Sequence, residues 1–411
     1  GPRVAGGGSI TLGEVNSMTK ERFTEVFGHV VQGVPWAVER AYAQRPFADT
    51  TALRDPGGRL RGVLITRGLS FFETEHYLLE GDRAVRLPLP LKASMKGFID
   101  GQLLFTLEEP WSQAGETFET AALISLDVDA LKRDPATAKA TLIRQPGPRE
   151  SIEQVAGTRN RLLVAAFENV RGALYGYEHG PGGWRSTRYD LPQDGSIGVV
   201  STRDSDDSVF VSVTGFLQPS SLYLGDAASG RFEKVKQLPP RFDASKASVQ
   251  QFEAISTDGT KIPYFVVGPK DMKLDGSNPT LLYAYGGFQI SMTPAYSPMA
   301  GKLWIERGGV FVMANIRGGG EFGPAWHQAG LKTKRQIVFD DFTAVARDLI
   351  ARKITSPRRL GIEGGSNGGL LMGAALTQTP ELYNAAVVQV PLLDMLRYHK
   401  LLAGASWVGE Y

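Results

Sequence analysis

Six residues, Gly364-Gly365-Ser366-Asn367-Gly368-Gly369, place a serine where it could act as a nucleophile. A short apolar stretch, Leu360-Gly361-Ile362-Glu363, precedes them, and the helix-forming run Leu370-Leu371-Met372-Gly373-Ala374-Ala375-Leu376 follows. The segment reads as strand, tight turn and helix, with a G-x-S-x-G pentapeptide (Gly364, Ser366, Gly368) at the turn. A serine on so sharp a turn has strained backbone angles. A Cβ two residues to either side would meet the neighbouring strand or helix, so glycine belongs on both flanks. The helix that starts at the turn aims free backbone N–H groups at the spot where an oxyanion would develop. A merely flexible Gly-Ser loop is the bland alternative; the strand before and the helix after favour a nucleophile, Ser366.

An acyl-transfer serine also needs a general base and a residue to orient it, which this fold supplies in the order Ser, Asp, His. His399 is the single histidine after Ser366, and Asp394 precedes it, so Ser366, Asp394 and His399 satisfy the formal order. Asp394 and His399 are five residues apart on what reads as one helix, Leu392–Leu402, and would point in different directions. That trio is therefore rejected. His29, His76 and His179 have no partner at metal-ligand spacing and read as surface or packing residues; neither metal nor cofactor is expected.

The elements that must hold this turn fall into two halves. A chain of 411 residues is too long for one compact core, and 48 glycines exceed the average usage of about 7%, as a turn-rich β architecture would. Up to about Pro240 the sequence shows short strands bounded by turn residues: Gly62–Thr66, Gln102–Thr106, Arg161–Ala165, Ser208–Val213 and Ser221–Ala227. Their loose period, roughly 45 to 60 residues, fits propeller blades of four strands, with a β-sandwich pair as the alternative. Lys20–Val38, in the unclear opening, carries no clean period. Leu238-Pro239-Pro240-Arg241 marks the boundary, dividing the chain into residues 1–241 and 242–411.

Beyond the boundary, strands alternate with helical stretches. Gln251–Ile255 and Lys261–Val267 flank the turn Asp258-Gly259, a hairpin signal. Thr280–Tyr285, Val310–Asn315 and Ala385–Val390 are apolar runs expected to be buried strands. Between Phe339 and Ile350, apolar residues at Phe339, Phe342, Val345, Ala346, Leu349 and Ile350 predict a helix, with Asp340 and Asp341 in its first turn complementing the helix dipole. This β-α-β-α order predicts a mostly parallel sheet.

A formal net charge of +2 points to neither nucleic acid nor an anionic membrane. With no cysteine, disulfides, thiolate metal sites and a cysteine nucleophile are all excluded. No apolar run approaches the roughly eighteen residues that span a bilayer. The chain starts Gly1-Pro2-Arg3, without an initiator Met or a signal-peptide pattern, and reads as the middle of something longer; the lack of cysteine fits cytoplasm and periplasm alike, and cytoplasm is the expectation with periplasm open.

Four motifs, in this order and at these separations, resemble the prolyl oligopeptidase family of serine peptidases: Tyr283-Ala284-Tyr285-Gly286-Gly287-Phe288, Ala314-Asn315-Ile316-Arg317-Gly318-Gly319-Gly320-Glu321-Phe322-Gly323, Gly364-Gly365-Ser366-Asn367-Gly368-Gly369 and Val390-Pro391-Leu392-Leu393-Asp394-Met395. The close match runs from about Phe252 to Tyr411; the N-terminal half fits only in general character. The resemblance implies a multidomain chain: an incomplete, all-β propeller followed by part of an α/β-hydrolase domain. It implies Ser366 as nucleophile, with the Asn367 N–H and the Tyr285 hydroxyl as the oxyanion hole. It further implies that Phe288, Trp407 and Tyr411 line a proline pocket, with Leu392 at another apolar pocket position. An aromatic face suits a flat proline ring, and a tyrosine O–H suits a developing alkoxide.

The family's acid and base lie on later strand ends, and His327, in Ala325-Trp326-His327, stands in a motif region instead of at the base position. The chain thus reads as a fragment lacking the triad Asp and His, inactive alone and poorly stable. Within a longer chain it is expected to cleave short peptides after proline, as a monomer when full length. Competing readings are cleavage after basic residues in the manner of oligopeptidase B, an esterase on the same fold, and a non-catalytic propeller binding protein. Asn rather than Ala after the serine, and the presence of Trp407, favour the proline branch; the Gly409-Glu410 pair before Tyr411 leaves the preference open.

Overall fold

The computed structural model describes residues 19–22, 50–68, 73–80 and 83–411; His29 and most of Lys20–Val38 lie outside them. The chain packs as two compact units, one formed by Gly1–Ile143 with Asp394–Gly409, the other by Arg144–Leu393 with Glu410–Tyr411. No helix among the described residues is long and apolar enough to cross a membrane.

In the first unit, Thr50–Arg54, Leu60–Gly68, Thr74–Glu80 and Arg83–Arg86 form an antiparallel four-stranded meander. A second sheet pairs Ala93–Ile99, Gln102–Leu107, Leu123–Asp127 and Ala140–Arg144 in chain order, with the small hairpin Trp111–Gln113 and Glu116–Phe118 inserted between its inner strands. Leu64, Leu78, Leu103, Phe105, Ile124 and Leu126 fill one core. His76 is a packing residue: its Nε2 lies 2.9 Å from the Ala93 carbonyl oxygen and its ring meets Phe105 edge-on.

The second unit opens with two more such meanders, Glu150–Gly157 to Gly183–Arg188 and Ser196–Thr202 to Arg231–Gln237. These sheets begin at Thr50, Ala93, Glu150 and Ser196, a blade-sized repeat of the kind the strand spacing predicts. Leu238–Arg241 separates the last of them from a six-stranded sheet, and both sides pack in one unit. Arg149 pairs with Glu253 at 2.7 Å across that join, and Gln251 and Asn169 exchange hydrogen bonds there.

The six-stranded sheet runs Ala247–Ile255, Lys261–Pro269, Val310–Ala314, Thr280–Tyr283, Leu360–Gly365, Ala385–Gln389. Its first two strands are the antiparallel hairpin, turning at Asp258 and Gly259 (φ 85°), and the last four are parallel. The chain leaves Thr280–Tyr283 to one side and returns on the other, so the strand order reverses there and opens a crevice at the carboxyl ends.

Three expectations need correction. The helix begins at Gln336 and ends at Ala351, so Asp340 and Asp341 are not in its first turn. Asp341 instead belongs to the buried face with Val338, Phe342, Val345, Ala346 and Leu349, because it has partners there. Its carboxylate accepts from Arg317 Nε and Nη2 at 2.9 and 2.6 Å and from Ser256 Oγ at 2.6 Å, while Arg317 Nη1 reaches Asp258 at 2.5 Å. Second, Ala385–Gln389 is half exposed, not buried, since it forms the sheet edge among the described residues; Val387 is 45% exposed. Third, Leu392–Leu402 is not one helix. The Asp394 carboxylate accepts from the Arg397 N–H and guanidinium, a local turn that competes with helix, and only Tyr398–Lys400 makes a 3₁₀ turn.

Burial pushes the Asp341 carboxyl up, against the pull of Arg317 and Ser256. Removing one partner of such a pair strands a buried charge. Arg317→Ala should therefore destabilise the protein by about 3–5 kcal/mol, read from urea unfolding. Asp340→Asn, half-buried and bonded only to Thr257 and Gln336 side chains, should cost no more than about 1 kcal/mol. Equal shifts for the two variants would refute this account of the pair.

Candidate active site

Parallel strands deliver their carboxyl ends to one place. Tyr285 follows Thr280–Tyr283, the Asn315–Arg317 turn follows Val310–Ala314, and Ser366 follows Leu360–Gly365. Ser366 has φ 55° and ψ −115°, a conformation that costs a side-chain-bearing residue about 1–3 kcal/mol. Hydrogen bonds over-determine it: its N–H donates to the Gln389 carbonyl at 3.0 Å, and its carbonyl accepts from the N–H groups of Gly369 and Leu370. The glycine flanks are needed for contact. A Cβ on Gly364 would fall on the Gly368 carbonyl, and one on Gly368 would come within 2.9 Å of the Ala284 carbonyl oxygen. Gly365 is different, for a Cβ there meets nothing nearer than 3.6 Å.

Asn367 opens the helix Asn367–Gln378, so its N–H has no intrahelical acceptor. Its buried side chain clamps two neighbours. Nδ2 donates to the Tyr285 carbonyl at 2.6 Å, and Oδ1 accepts from the Tyr411 hydroxyl at 2.9 Å. Burial raises the Tyr285 phenol above its ordinary value; a hydrogen bond with Ser366 pulls the other way, and the Glu410 charge adds to the rise. Tyr285 is thereby kept as a neutral O–H donor beside the serine.

The segment after Tyr285 is strained, with positive φ at Gly286 (66°), Phe288 (55°) and Gln289 (56°). Gly286 is obligatory, since a Cβ there would meet Ile316 and Val338 at 2.7 Å. Phe288 and Tyr411 face each other edge-on with ring centroids 5.8 Å apart, and the Arg335 guanidinium lies 4.8 Å over the Tyr411 ring. The structure thus brings together Ser366, Asn367, Tyr285, Phe288 and Tyr411. Leu392 is half-buried at the end of the second unit's main segment, and Trp407, also half-buried, ends the Gly404–Trp407 turn of the first unit.

Sequence reasoning missed the charged groups under this loop. Glu410, 1% exposed, accepts from Phe288 N–H and Arg335 Nη2, both at 2.9 Å, and lies 2.7 Å from His327 Nε2. Burial pushes its carboxyl up, but the His327 and Phe288 hydrogen bonds and the Arg335 charge outweigh that and hold it below its ordinary value. A second buried acid, Glu321, accepts from Met292 N–H at 2.9 Å, while its Oε2 has no partner among the described residues. Burial pushes it up to about 8. His327 and Glu410 are 83 residues apart, and nothing local in the sequence links them.

His399 packs edge-on against Tyr398, and the Asp394 carboxylate is taken by Arg397. Among the described residues no three His, Cys, Asp or Glu side chains gather as a metal site would require.

Comparison with known proteins finds relatives along both halves of the chain. The sequence profile of the prolyl oligopeptidase family matches residues 295–410, and that of the prolyl oligopeptidase N-terminal beta-propeller domain matches residues 105–238. An uncharacterized peptidase of Sinorhizobium fredii is 47% identical over 408 residues, covering 98% of this chain and 56% of that protein. A prolyl endopeptidase of Elizabethkingia miricola is 40% identical over 221 residues, 54% of this chain and 31% of that protein. The structure of a post-proline cleaving enzyme from Rickettsia typhi superposes with a TM-score of 0.82 at 33% identity, covering 88% of this chain and 53% of that one. The chain spans about half the length of the relatives it matches best in extent.

Two outcomes are expected. Gly364→Ala should abolish soluble, active protein, whereas Gly365→Ala should unfold within about 1 kcal/mol of the parent; if Gly364→Ala is tolerated, the close-approach argument is wrong. For Glu321, an unfolded glutamate ionises near pH ~4.3 while the folded one keeps its proton to about 8. Its contribution is therefore fully present below pH ~4.3 and is lost as pH rises toward 8. Urea midpoints should fall less between pH 5 and 8 in Glu321→Gln than in the parent.

Proposed function

The chain belongs to the prolyl oligopeptidase family, and from that premise we propose that it carries the nucleophile, oxyanion hole and aromatic pocket of a serine peptidase that cleaves short peptides after proline. The reading rests chiefly on one observation: Ser366 stands on its strained turn next to Asn367, whose side chain ties the Tyr285 carbonyl to the Tyr411 hydroxyl, beside the edge-to-face pair Phe288 and Tyr411. Ser366 Oγ adds to the scissile carbonyl and gives its proton to a histidine base. The carbonyl oxygen, now an alkoxide, is met by the Asn367 N–H and the Tyr285 O–H. Collapse breaks the C–N bond, the amine leaves with the proton, and water then hydrolyses the acyl-enzyme. Phe288 and Tyr411 offer ring faces and edges to the proline, and the family resemblance adds Leu392.

We do not assign the base to a histidine of this chain. His327 is engaged by Glu410, and the carboxylate nearest in sequence to His399 is taken by Arg397. The 411 residues alone are accordingly expected to react slowly. Specificity for proline over basic residues is supported by Glu410. It is the acid next to Tyr411, yet it is buried and its charge is already met by Arg335, His327 and the Phe288 N–H, which leaves it a poor partner for a cationic side chain.

The test is hydrolysis of short chromogenic peptides by the gene product that contains this chain. Cleavage after proline should exceed cleavage after arginine or lysine by about 100-fold in kcat/KM, and Ser366→Ala should remove both. Preference for a basic residue would move the chain to the other branch. An unaltered rate in Ser366→Ala would refute the enzyme reading. Rapid stoichiometric labelling of the 411-residue chain at Ser366 by a fluorophosphonate would contradict the assignment of the base elsewhere.

A further inference from the structure

Tyr285 sits at the head of a segment that has no regular hydrogen bonding of its own, and three side chains hold it. Asn367 holds the Tyr285 carbonyl at 2.6 Å, Arg335 Nη1 holds the Gly286 carbonyl at 2.9 Å, and the Glu410 carboxylate holds the Phe288 N–H at 2.9 Å. Arg335 and Glu410 are themselves joined at 2.9 Å, and Glu410 Oε2 meets His327 at 2.7 Å. The Glu410 main chain is anchored as well, its carbonyl accepting from Lys332 N–H at 3.0 Å. Glu410 is thus a rigid buried acceptor, and two of its partners bear on Tyr285: the Phe288 N–H, three residues on, and Arg335, which also holds the Gly286 carbonyl.

We propose that Glu410 is a positioning residue: with Arg335 it pins Gly286–Phe288 in their strained conformation and so sets the Tyr285 hydroxyl at the oxyanion site. The proposal rests on the reading of Tyr285 as an oxyanion donor. A strained loop persists only where its surroundings over-determine it; Glu410 supplies the hold on the Phe288 N–H, next to Gln289, whose own N–H donates to the Gly318 carbonyl at 3.2 Å. A displacement of about 1 Å at such a site is enough to cost about 100-fold in rate. The charge of Glu410 also opposes ionisation of Tyr285, which keeps the phenol a donor.

The test is a double-mutant cycle in the gene product that contains this chain, with Glu410→Gln, Tyr285→Phe and the pair. Glutamine keeps the volume but cannot accept from all three donors. If Glu410 acts through Tyr285, Glu410→Gln should lower kcat about 10- to 100-fold with a smaller change in KM, and should add almost nothing on top of Tyr285→Phe. Independent, multiplying losses in the cycle would overturn the proposal, since they are what a merely structural role produces; so would an unchanged kcat in Glu410→Gln. Should Glu410→Gln fail to fold, Arg335→Lys completes the same cycle, because it removes the fixed fork by which Nη1 holds the Gly286 carbonyl and Nη2 holds Glu410. A Tyr285→Phe variant with full kcat would instead show that the oxyanion reading itself is wrong, while loss of activity in Ser366→Ala and Tyr285→Phe with an unaffected Glu410→Gln would leave that reading standing and sink only this one.

Discussion

The close approach of two glycines around one strained serine is the constraint on which the catalytic half depends. A side chain on Gly364 would run into the Gly368 carbonyl and one on Gly368 into the Ala284 carbonyl, and Ser366 between them is held at φ 55°. That geometry cannot be sustained by the turn alone. Gln389 on the edge strand accepts the Ser366 N–H, and the same strand pairs in register with Gly364 and Gly365. Thr280–Tyr283 pairs on the other side, so the strand that ends at Ser366 is gripped along both edges. A one-residue slip in either pairing would turn the buried side chains outward, and with them the serine.

Three buried acids lie in the catalytic half, and each is accommodated differently. Asp341 is paired with Arg317 and capped by Ser256, which ties the long helix to the Asn315–Arg317 turn and to the hairpin. Glu410 stays ionised because three donors converge on it. Glu321 has too few donors and keeps its proton instead. The common consequence is rigidity at the carboxyl ends of the strands. Apolar packing, in Ile262, Tyr264, Leu282, Val312, Phe342 and Ile362, builds the sheet and helix layers, but it does not determine where a loop of glycines goes. The polar contacts do that.

Much of the architecture was legible because it is written locally. Alternating and continuous apolar runs marked the strands, Asp258-Gly259 marked the hairpin, and Gly364-Gly365-Ser366-Asn367-Gly368 marked the turn. The helix face was read with an offset: Phe339 and Ile350 are only partly buried, while Asp341 is fully so. Hydrophobic periodicity cannot anticipate a buried carboxylate, since the reason for its burial, Arg317, lies 24 residues away. The Leu392–Leu402 stretch failed for the opposite reason. Its composition suits a helix, but Asp394 satisfies the Arg397 N–H through its side chain and the chain turns.

From its residues alone the chain determined its repeated β half, its parallel sheet and the sharp turn at Ser366, because turn chemistry, side-chain period and glycine sterics act between near neighbours. Only the tertiary structure decided which polar groups meet. Asn367 bridging Tyr285 and Tyr411, and Glu410 gripping Phe288, Arg335 and His327, join positions 44 to 122 residues apart. Such contacts follow from strand order and loop path, and no local pattern of residue types encodes a distance that the fold itself must close.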